Sequence, residues 1–143
     1  VYQFTANKGF ESQRLFELVL FSFLTGNADM HLKNFSLIEN ALGEYEFSPA
    51  YDLLSTALVI PEDKEESALT INGKKSRIGL KDFNALADSL HLNVKSLQAI
   101  YKRFNTILPQ WKGFINQSFL SDEMKAKYIQ LITDKFDALF SKV

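Results

Sequence analysis

The chain has 143 residues, of which 46% are hydrophobic, and its formal net charge at pH 7 is −1. This length fits about one domain, and the apolar content supports a buried core, which excludes a disordered chain. The near-neutral charge lacks the basic excess of a nucleic-acid-binding or membrane-surface protein, and the absence of cysteine excludes disulfides and thiolate metal sites.

The first predicted element is a helix over residues 12–24, in which leucine and phenylalanine side chains surround nearly the whole circumference. Such a helix is typically buried. Gly26 is predicted to end it. Two short strands are predicted next, over residues 35–39 and 44–47, and together they form a hairpin.

The middle of the chain predicts a loop and a second hairpin. Residues 62–66 are charged and are expected to form an exposed loop. Residues 68–71 and 74–78 flank Asn72-Gly73, which is a strong signal for a two-residue hairpin turn.

The remainder of the chain predicts helices. Apolar residues recur at helical spacing from Phe83, with Asp82 as the expected N-cap. A second helix follows Asn93, and Pro109 is expected to break or kink it. A last helix is expected after Ser121. The whole pattern predicts a single domain over residues 1–143 that is mainly α with short β-hairpins.

Some aromatic residues of this helical part invite a functional interpretation. Phe104, Trp111 and Phe114 lie at helical spacing. We expect them in the core of the domain and not on a surface that stacks nucleic-acid bases.

Three polar residues carry the candidate chemistry. Asp29 precedes Asn34 by five positions, which is the separation of the catalytic aspartate and the metal-binding asparagine in the catalytic loop of protein kinases. Asp52 follows the first predicted hairpin, as the metal-binding aspartate of a kinase does. Phosphoryl transfer needs a carboxylate that orients the acceptor hydroxyl, and it needs oxygen ligands for Mg²⁺. His31 and Lys33 are candidates for positive charge near the transferred phosphate.

Each of these residues also has a structural interpretation. An Asn-Ala-Asp sequence after a helix is ordinary turn chemistry, and the spacing of Asp29 and Asn34 alone occurs often by chance. Asp52 after Pro49 could simply cap a helical turn through Leu53-Leu54. The order of the elements favours the kinase interpretation, because a buried helix, a polar loop, a hairpin, an aspartate and a helical remainder follow one another as in the C-terminal lobe of a kinase.

The strings LTGNADMHLKNFSLI and FSPAYDLLST resemble the C-terminal domain of the HipA-like serine/threonine kinases, the toxins of bacterial toxin–antitoxin systems. The resemblance is strong over residues 16–56 and looser beyond them. It implies that Asp29 is the catalytic aspartate and that Asn34 and Asp52 bind Mg²⁺. His31 takes the place of a catalytic-loop lysine of eukaryotic kinases, and Lys33 is expected to contact the nucleotide.

The resemblance also implies a reaction and partners. The expected reaction is transfer of the ATP γ-phosphoryl group to a protein hydroxyl, with translation-associated proteins such as aminoacyl-tRNA synthetases among the substrates of the family. A DNA-binding antitoxin is the expected protein partner, and the cytoplasm the expected compartment. We expect no direct contact with nucleic acid and no association with a membrane, because no apolar run approaches the ~20 residues that span a bilayer.

One part of a kinase is not visible in this sequence. None of the six glycines forms a Gly-x-Gly, and Lys8 is the only lysine ahead of the candidate catalytic loop. We therefore expect a fragment that lacks the N-terminal, nucleotide-gripping lobe. Two rival functions stay open: a non-catalytic kinase-like module that docks an antitoxin or another protein, and a small helical nucleic-acid-binding domain, against which the net charge argues.

Overall fold

The computed structural model describes residues 4–60, 62 and 64–141. This part of the chain is mostly helical and contains one two-stranded antiparallel hairpin, which confirms the predicted fold class. A short 3-10 turn, Leu32–Asn34, precedes the hairpin. The elements, in chain order, are α1 Lys8–Leu24, β1 Leu37–Glu39, β2 Tyr45–Phe47, α2 Thr56–Val59, α3 Leu80–Ser89, α4 Val94–Gln117 and α5 Asp122–Phe140.

Helix α1 lies at the centre of the domain. It begins four residues earlier than predicted, because the side chain of Asn7 accepts a hydrogen bond from the Phe10 N–H and caps the helix. It contacts α3, α5 and β2. Phe16 and Leu20 are fully buried, as expected for a helix that is apolar nearly all round.

The main core is built on α1 by the three long helices that follow. The Phe83 ring of α3 meets Phe16 at 6.1 Å and Phe23 at 5.3 Å between ring centroids, in edge-to-face arrangements. Burial of each such side chain stabilises the fold by about 1.5–3 kcal/mol. A second, smaller cluster joins Leu18 of α1 to Met30 and Phe47. This smaller cluster anchors the loop after α1 and the hairpin to the same helix.

Helix α4 corrects two expectations. It runs without a break through Pro109, so the predicted break is wrong, while the alternative, a kink at Pro109, stays a prediction. Pro109 and Asn105, whose carbonyl loses its helical donor, are both on the exposed side, where water can satisfy that carbonyl. Phe114 is 71% exposed and does not belong to the core. Ile115, one position further along the helix, takes the buried position instead.

The charged loop after α2 is only partly as expected. Residue 63 lies outside the described residues, while Glu62, Lys64 and Glu65 are exposed as predicted. Glu66 is not, because its carboxylate pairs with Lys135 of α5 and accepts a hydrogen bond from the Ile78 N–H at 2.9 Å.

The second predicted hairpin is reduced to its turn. Asn72 and Gly73 both have positive φ, 51° and 74°, as a type I′ turn requires. Only one bridge, between Ile71 and Lys74, flanks the turn in the described part of the chain. The predicted strands therefore do not extend beyond the turn.

Asp82 does not cap α3 at the predicted position. The helix begins after Gly79, and Asp82 is its third residue. From this position Asp82 Oδ2 accepts a hydrogen bond from the Gly79 N–H at 3.0 Å. The Asp82 carboxylate is buried and also accepts from Asn72 Nδ2 at 2.8 Å and from Lys74 Nζ at 3.1 Å. These donors, Lys74 foremost, lower the pKa of Asp82 from 3.8 to about 2.

This pKa predicts a pH dependence of stability. Because the pKa of Asp82 is lower in the folded chain than in the unfolded chain, its stabilisation is complete above about pH 4 and is lost as the pH falls toward 2. Between pH 4 and 2, the free energy of unfolding of the wild type should fall by about 1–2 kcal/mol more than that of Asp82→Asn. Urea unfolding of both chains between pH 2 and 6 measures it. Asp88→Asn, which changes an exposed acid of the same helix, is the control, and parallel pH curves for wild type and Asp82→Asn would contradict the prediction.

Candidate active site

The loop after α1 starts from a tightly held turn. Gly26 has φ 73°, and the Asn27 N–H donates to the Ser22 carbonyl at 2.8 Å. The helix therefore ends where the glycine predicted, and the chain turns away from the helix axis into the loop that carries Asp29.

Asp29 and Asn34 are joined within this loop. Asn34 is buried, and its Nδ2 donates to the Asp29 carbonyl at 3.1 Å. The Asp29 N–H in turn donates to Asn27 Oδ1 at 3.2 Å. The Asp29 side chain itself is 64% exposed. The amide nitrogen of Asn34 is thus used to shape the loop, which leaves its oxygen, the atom that a cation would need, for another partner.

Asp52 lies on the segment between β2 and α2. It is exposed and has φ 54°, a left-handed conformation that few residues other than glycine adopt. The alternative that Asp52 caps a helical turn through Leu53-Leu54 is wrong, since the next helix begins only at Thr56, after Ser55. Its carboxylate makes no contact with another described side chain that would neutralise it.

Two side-chain hydroxyls attach the Asp52 segment to the Asp29 loop, one on each side of Asp52, and the Ala57 N–H adds a backbone hydrogen bond to the Gly26 carbonyl at 3.0 Å. The Tyr51 hydroxyl donates to the Lys33 carbonyl at 2.8 Å, next to Asn34. Thr56 Oγ1 accepts the Ala28 N–H at 2.9 Å, next to Asp29. The segment is therefore attached to the loop at two points, one next to Asn34 and one next to Asp29.

The two basic candidates differ in their surroundings. His31 Nε2 lies 3.8 Å from Asp29 Oδ1, and His31 Nδ1 is buried without a hydrogen-bond partner among the described residues. Lys33 is exposed, and the contact that the structure gives it is made by its backbone carbonyl. His31 is thus close to the candidate catalytic carboxylate, whereas the cationic end of Lys33 is not positioned by a described neighbour.

The donor set fits Mg²⁺ better than a metal held by protein alone. In the described part of the chain, no group of three or more His, Cys, Asp or Glu side chains is arranged to hold a metal. Mg²⁺ usually takes one or two carboxylates and leaves its other positions to phosphates and water. One carboxylate from Asp52 and one amide oxygen from Asn34 match that requirement. Their roles, and those of Asp29, His31 and Lys33, remain predictions.

The sequence interpretation missed the two residues that assemble the site. Tyr51 and Thr56 flank Asp52 in the string YDLLST, but only the aspartate carried a predicted role. Their spacing on either side of Asp52 is visible in the sequence. Their partners, in a loop 18 and 28 positions away, are not.

The fold is kinase-like. The chain matches the HipA toxin of Shewanella oneidensis MR-1, in a structure of HipA with HipB and its operator DNA, with a TM-score of 0.71 and 22% identity. The match covers 90% of this chain and 32% of that one. At this identity the match shows the fold alone.

Residues 2–111 match the family model of the HipA-like C-terminal domain, and the chain belongs to this family. It is 47% identical over 62 residues to a Sinorhizobium fredii protein named "Putative kinase Y4dM", and 32% identical over 57 residues to a Haemophilus influenzae protein named "Putative kinase". These matches cover 43% and 40% of this chain, and the chain spans only 15% and 17% of the two relatives.

Over residues 4–60, 62 and 64–141, every helix is too short or too polar to cross a bilayer.

Gly26 gives a test of the turn that starts the loop. A Cβ there would lie 2.9 Å from Leu131 Cδ2 and 3.1 Å from the Ala57 Cβ, and φ is 73°. We expect Gly26→Ala to lower the free energy of unfolding by about 1–3 kcal/mol, measured by urea denaturation. Gly113→Ala is the matched control, because a Cβ on α4 at that position meets nothing within 4 Å. There the change should be neutral or stabilising. Equal effects at both positions would contradict the account.

Proposed function

We propose that this chain is the C-terminal catalytic lobe of a serine/threonine protein kinase that transfers the γ-phosphoryl group of ATP to a protein hydroxyl. The observation that carries the proposal is the attachment of the Asp52 segment to the Asp29 loop by Tyr51 and Thr56. These hydrogen bonds lie on both sides of the exposed Asp52 and hold its segment against the loop that carries Asp29, as a shared site requires. Membership of the HipA-like family supports the same reaction.

The roles follow from the positions of the side chains. The exposed carboxylate of Asp29 is free to orient the acceptor hydroxyl and to take its proton. Asn34 and Asp52 would hold Mg²⁺, which when bound neutralises charge on the phosphates of ATP. His31, 3.8 Å from Asp29, places a donor beside the transferred group, and Lys33 supplies a mobile cation for the phosphates.

The partners are proposed from the family and its structural relative. That relative is a HipA toxin in complex with HipB and operator DNA, so we propose a DNA-binding antitoxin as the partner of this protein. The substrate would be a protein with an accessible serine or threonine, with translation-associated proteins as the first candidates. We propose the cytoplasm as the compartment, since ATP and such partners occur there. A further proposal is that an N-terminal lobe completes the nucleotide site, since this chain spans a third or less of the proteins it matches.

Two substitutions test the roles in the full-length protein that contains this chain. Asp29→Asn should lower the rate of phosphoryl transfer by about 10²–10⁴-fold, because it removes the proton acceptor but keeps the side-chain shape. Asp52→Asn should raise the Mg²⁺ concentration for half-maximal activity by about tenfold or more, because it removes charge from a metal ligand. Autophosphorylation and phosphorylation of bacterial cell extract with radiolabelled ATP measure both.

The control is Asp88→Asn, which changes an exposed acid on α3. It should leave the rate and the Mg²⁺ dependence unchanged. Near-normal transfer by Asp29→Asn would refute the catalytic assignment. An unchanged Mg²⁺ requirement in Asp52→Asn would refute the metal assignment.

The 143-residue chain by itself gives another prediction. It supplies candidate ligands for Mg²⁺, but none of its glycines forms the Gly-x-Gly of a phosphate-gripping loop. We expect the chain to fold and to bind Mg-ATP with a dissociation constant weaker than about 1 mM, and to show no measurable kinase activity. Calorimetric titration and a transfer assay on the purified chain check this. Micromolar binding would show that this chain alone grips the phosphates.

A further inference from the structure

We propose that Thr56 is the positioning residue that sets the metal-binding segment and the catalytic loop in register. The inference rests on the proposed function, since it concerns how Asp52 and Asp29 are held relative to each other. The buried hydroxyl of Thr56 is bonded to backbone groups, so its effect would pass through the two aspartates.

The hydroxyl of Thr56 is fully used inside the protein. It accepts the Ala28 N–H at 2.9 Å and donates to the Gly26 carbonyl at 3.3 Å. Thr56 is 7% exposed and Ala28 is 9% exposed. Because a hydroxyl both donates and accepts, serine would preserve the two bonds and valine would remove both. Valine would also leave the buried Ala28 N–H without a partner, which destabilises the loop locally.

The two residues that follow Asp52 do not pack into a core, although α2, which begins at Thr56, contacts α5. Leu53 and Leu54, the residues between Asp52 and Ser55, are 45% and 57% exposed. Their side chains therefore do not anchor the segment in a core. Hydrogen bonds join the segment to the loop at its two ends, and beyond Thr56 the Ala57 N–H also donates to the Gly26 carbonyl at 3.0 Å.

The two ends are not equivalent. The bond from Tyr51 to the Lys33 carbonyl is exposed, so water can replace it at small cost. The Thr56 bonds are buried, and water cannot replace them without opening the site. Ala28 is also the immediate neighbour of Asp29, so a shift at Thr56 passes directly to the catalytic carboxylate. We therefore assign the larger share of the positioning to Thr56.

The test compares three variants of the full-length protein. In Thr56→Val we expect kcat to fall by about 10–100-fold, since a shift of about 1 Å in a reacting group has an effect of that order. The Mg²⁺ concentration for half-maximal activity should rise severalfold in the same variant. Thr56→Ser should restore both values to within about threefold of wild type. Thr106→Val, which removes an exposed hydroxyl from α4 that bonds only the Arg103 carbonyl, is the matched control and should change neither.

All rates are to be measured at a temperature where circular dichroism shows each variant fully folded. If Thr56→Val does not reach that state, Thr56→Ala removes the same hydroxyl without adding a second methyl group. A purely structural role would lower stability in both the valine and the alanine variants but would leave the Mg²⁺ dependence of the folded protein unchanged. That result would overturn the inference, and so would equal activities for Thr56→Val and Thr56→Ser.

Asp29→Asn, measured in the same assay, separates this inference from the proposed function. An inactive Asp29→Asn with a normal Thr56→Val leaves the kinase assignment standing and refutes the role of Thr56. An active Asp29→Asn refutes the kinase assignment, and with it the role of Thr56.

Discussion

The burial of α1 is the constraint on which the rest of the structure depends. This helix packs against α3, α5 and β2, and Phe16, Leu20 and Leu24 are completely buried. Its C-terminal end is therefore fixed in space, and Gly26 turns the chain from that fixed end into the polar loop. The start of the loop is thus held by the core, although the Asp29 side chain is exposed.

The same helix controls the other half of the site. Glu11, buried near the start of α1, accepts the Phe47 N–H at 3.0 Å and pairs with Arg14 at 3.1 Å. The end of β2 is thus attached to α1, and the chain leaves it toward Tyr51 and Asp52. Two segments that are distant in sequence meet because each is anchored to one helix, and the hydroxyls of Tyr51 and Thr56 then join them directly.

The sequence predicts most of the elements, because they depend on local patterns, while the roles of the candidate residues remain predictions. The helices, the first hairpin, the turn at Asn72-Gly73 and the N-cap at Ser121 all follow from short-range preferences, and the structure confirms them. The family resemblance also rests on contiguous strings, and the family match over residues 2–111 confirms it.

What the sequence did not predict depends on tertiary contacts. Phe114 and Ile115 are adjacent apolar residues of α4, which packs against α5, and the isoleucine is the one that is buried. Asp82 accepts hydrogen bonds from Gly79, Asn72 and Lys74. The bonds from Asn72 and Lys74 cannot be predicted from a local pattern. The long-range partners of Tyr51 and Thr56 were missed for the same reason.

We propose that Asn34 and Asp52 share one divalent cation beside Asp29. Manganese(II) prefers the same oxygen ligands as Mg²⁺, and it broadens the nuclear magnetic resonances of nearby atoms. We predict that titration of the 143-residue chain with millimolar manganese(II) broadens the amide signals of residues 27–36 and 50–56 and leaves those of α4 sharp. Asp52→Asn should remove this broadening. Broadening centred on residues 62–66, or unchanged in Asp52→Asn, would contradict the account.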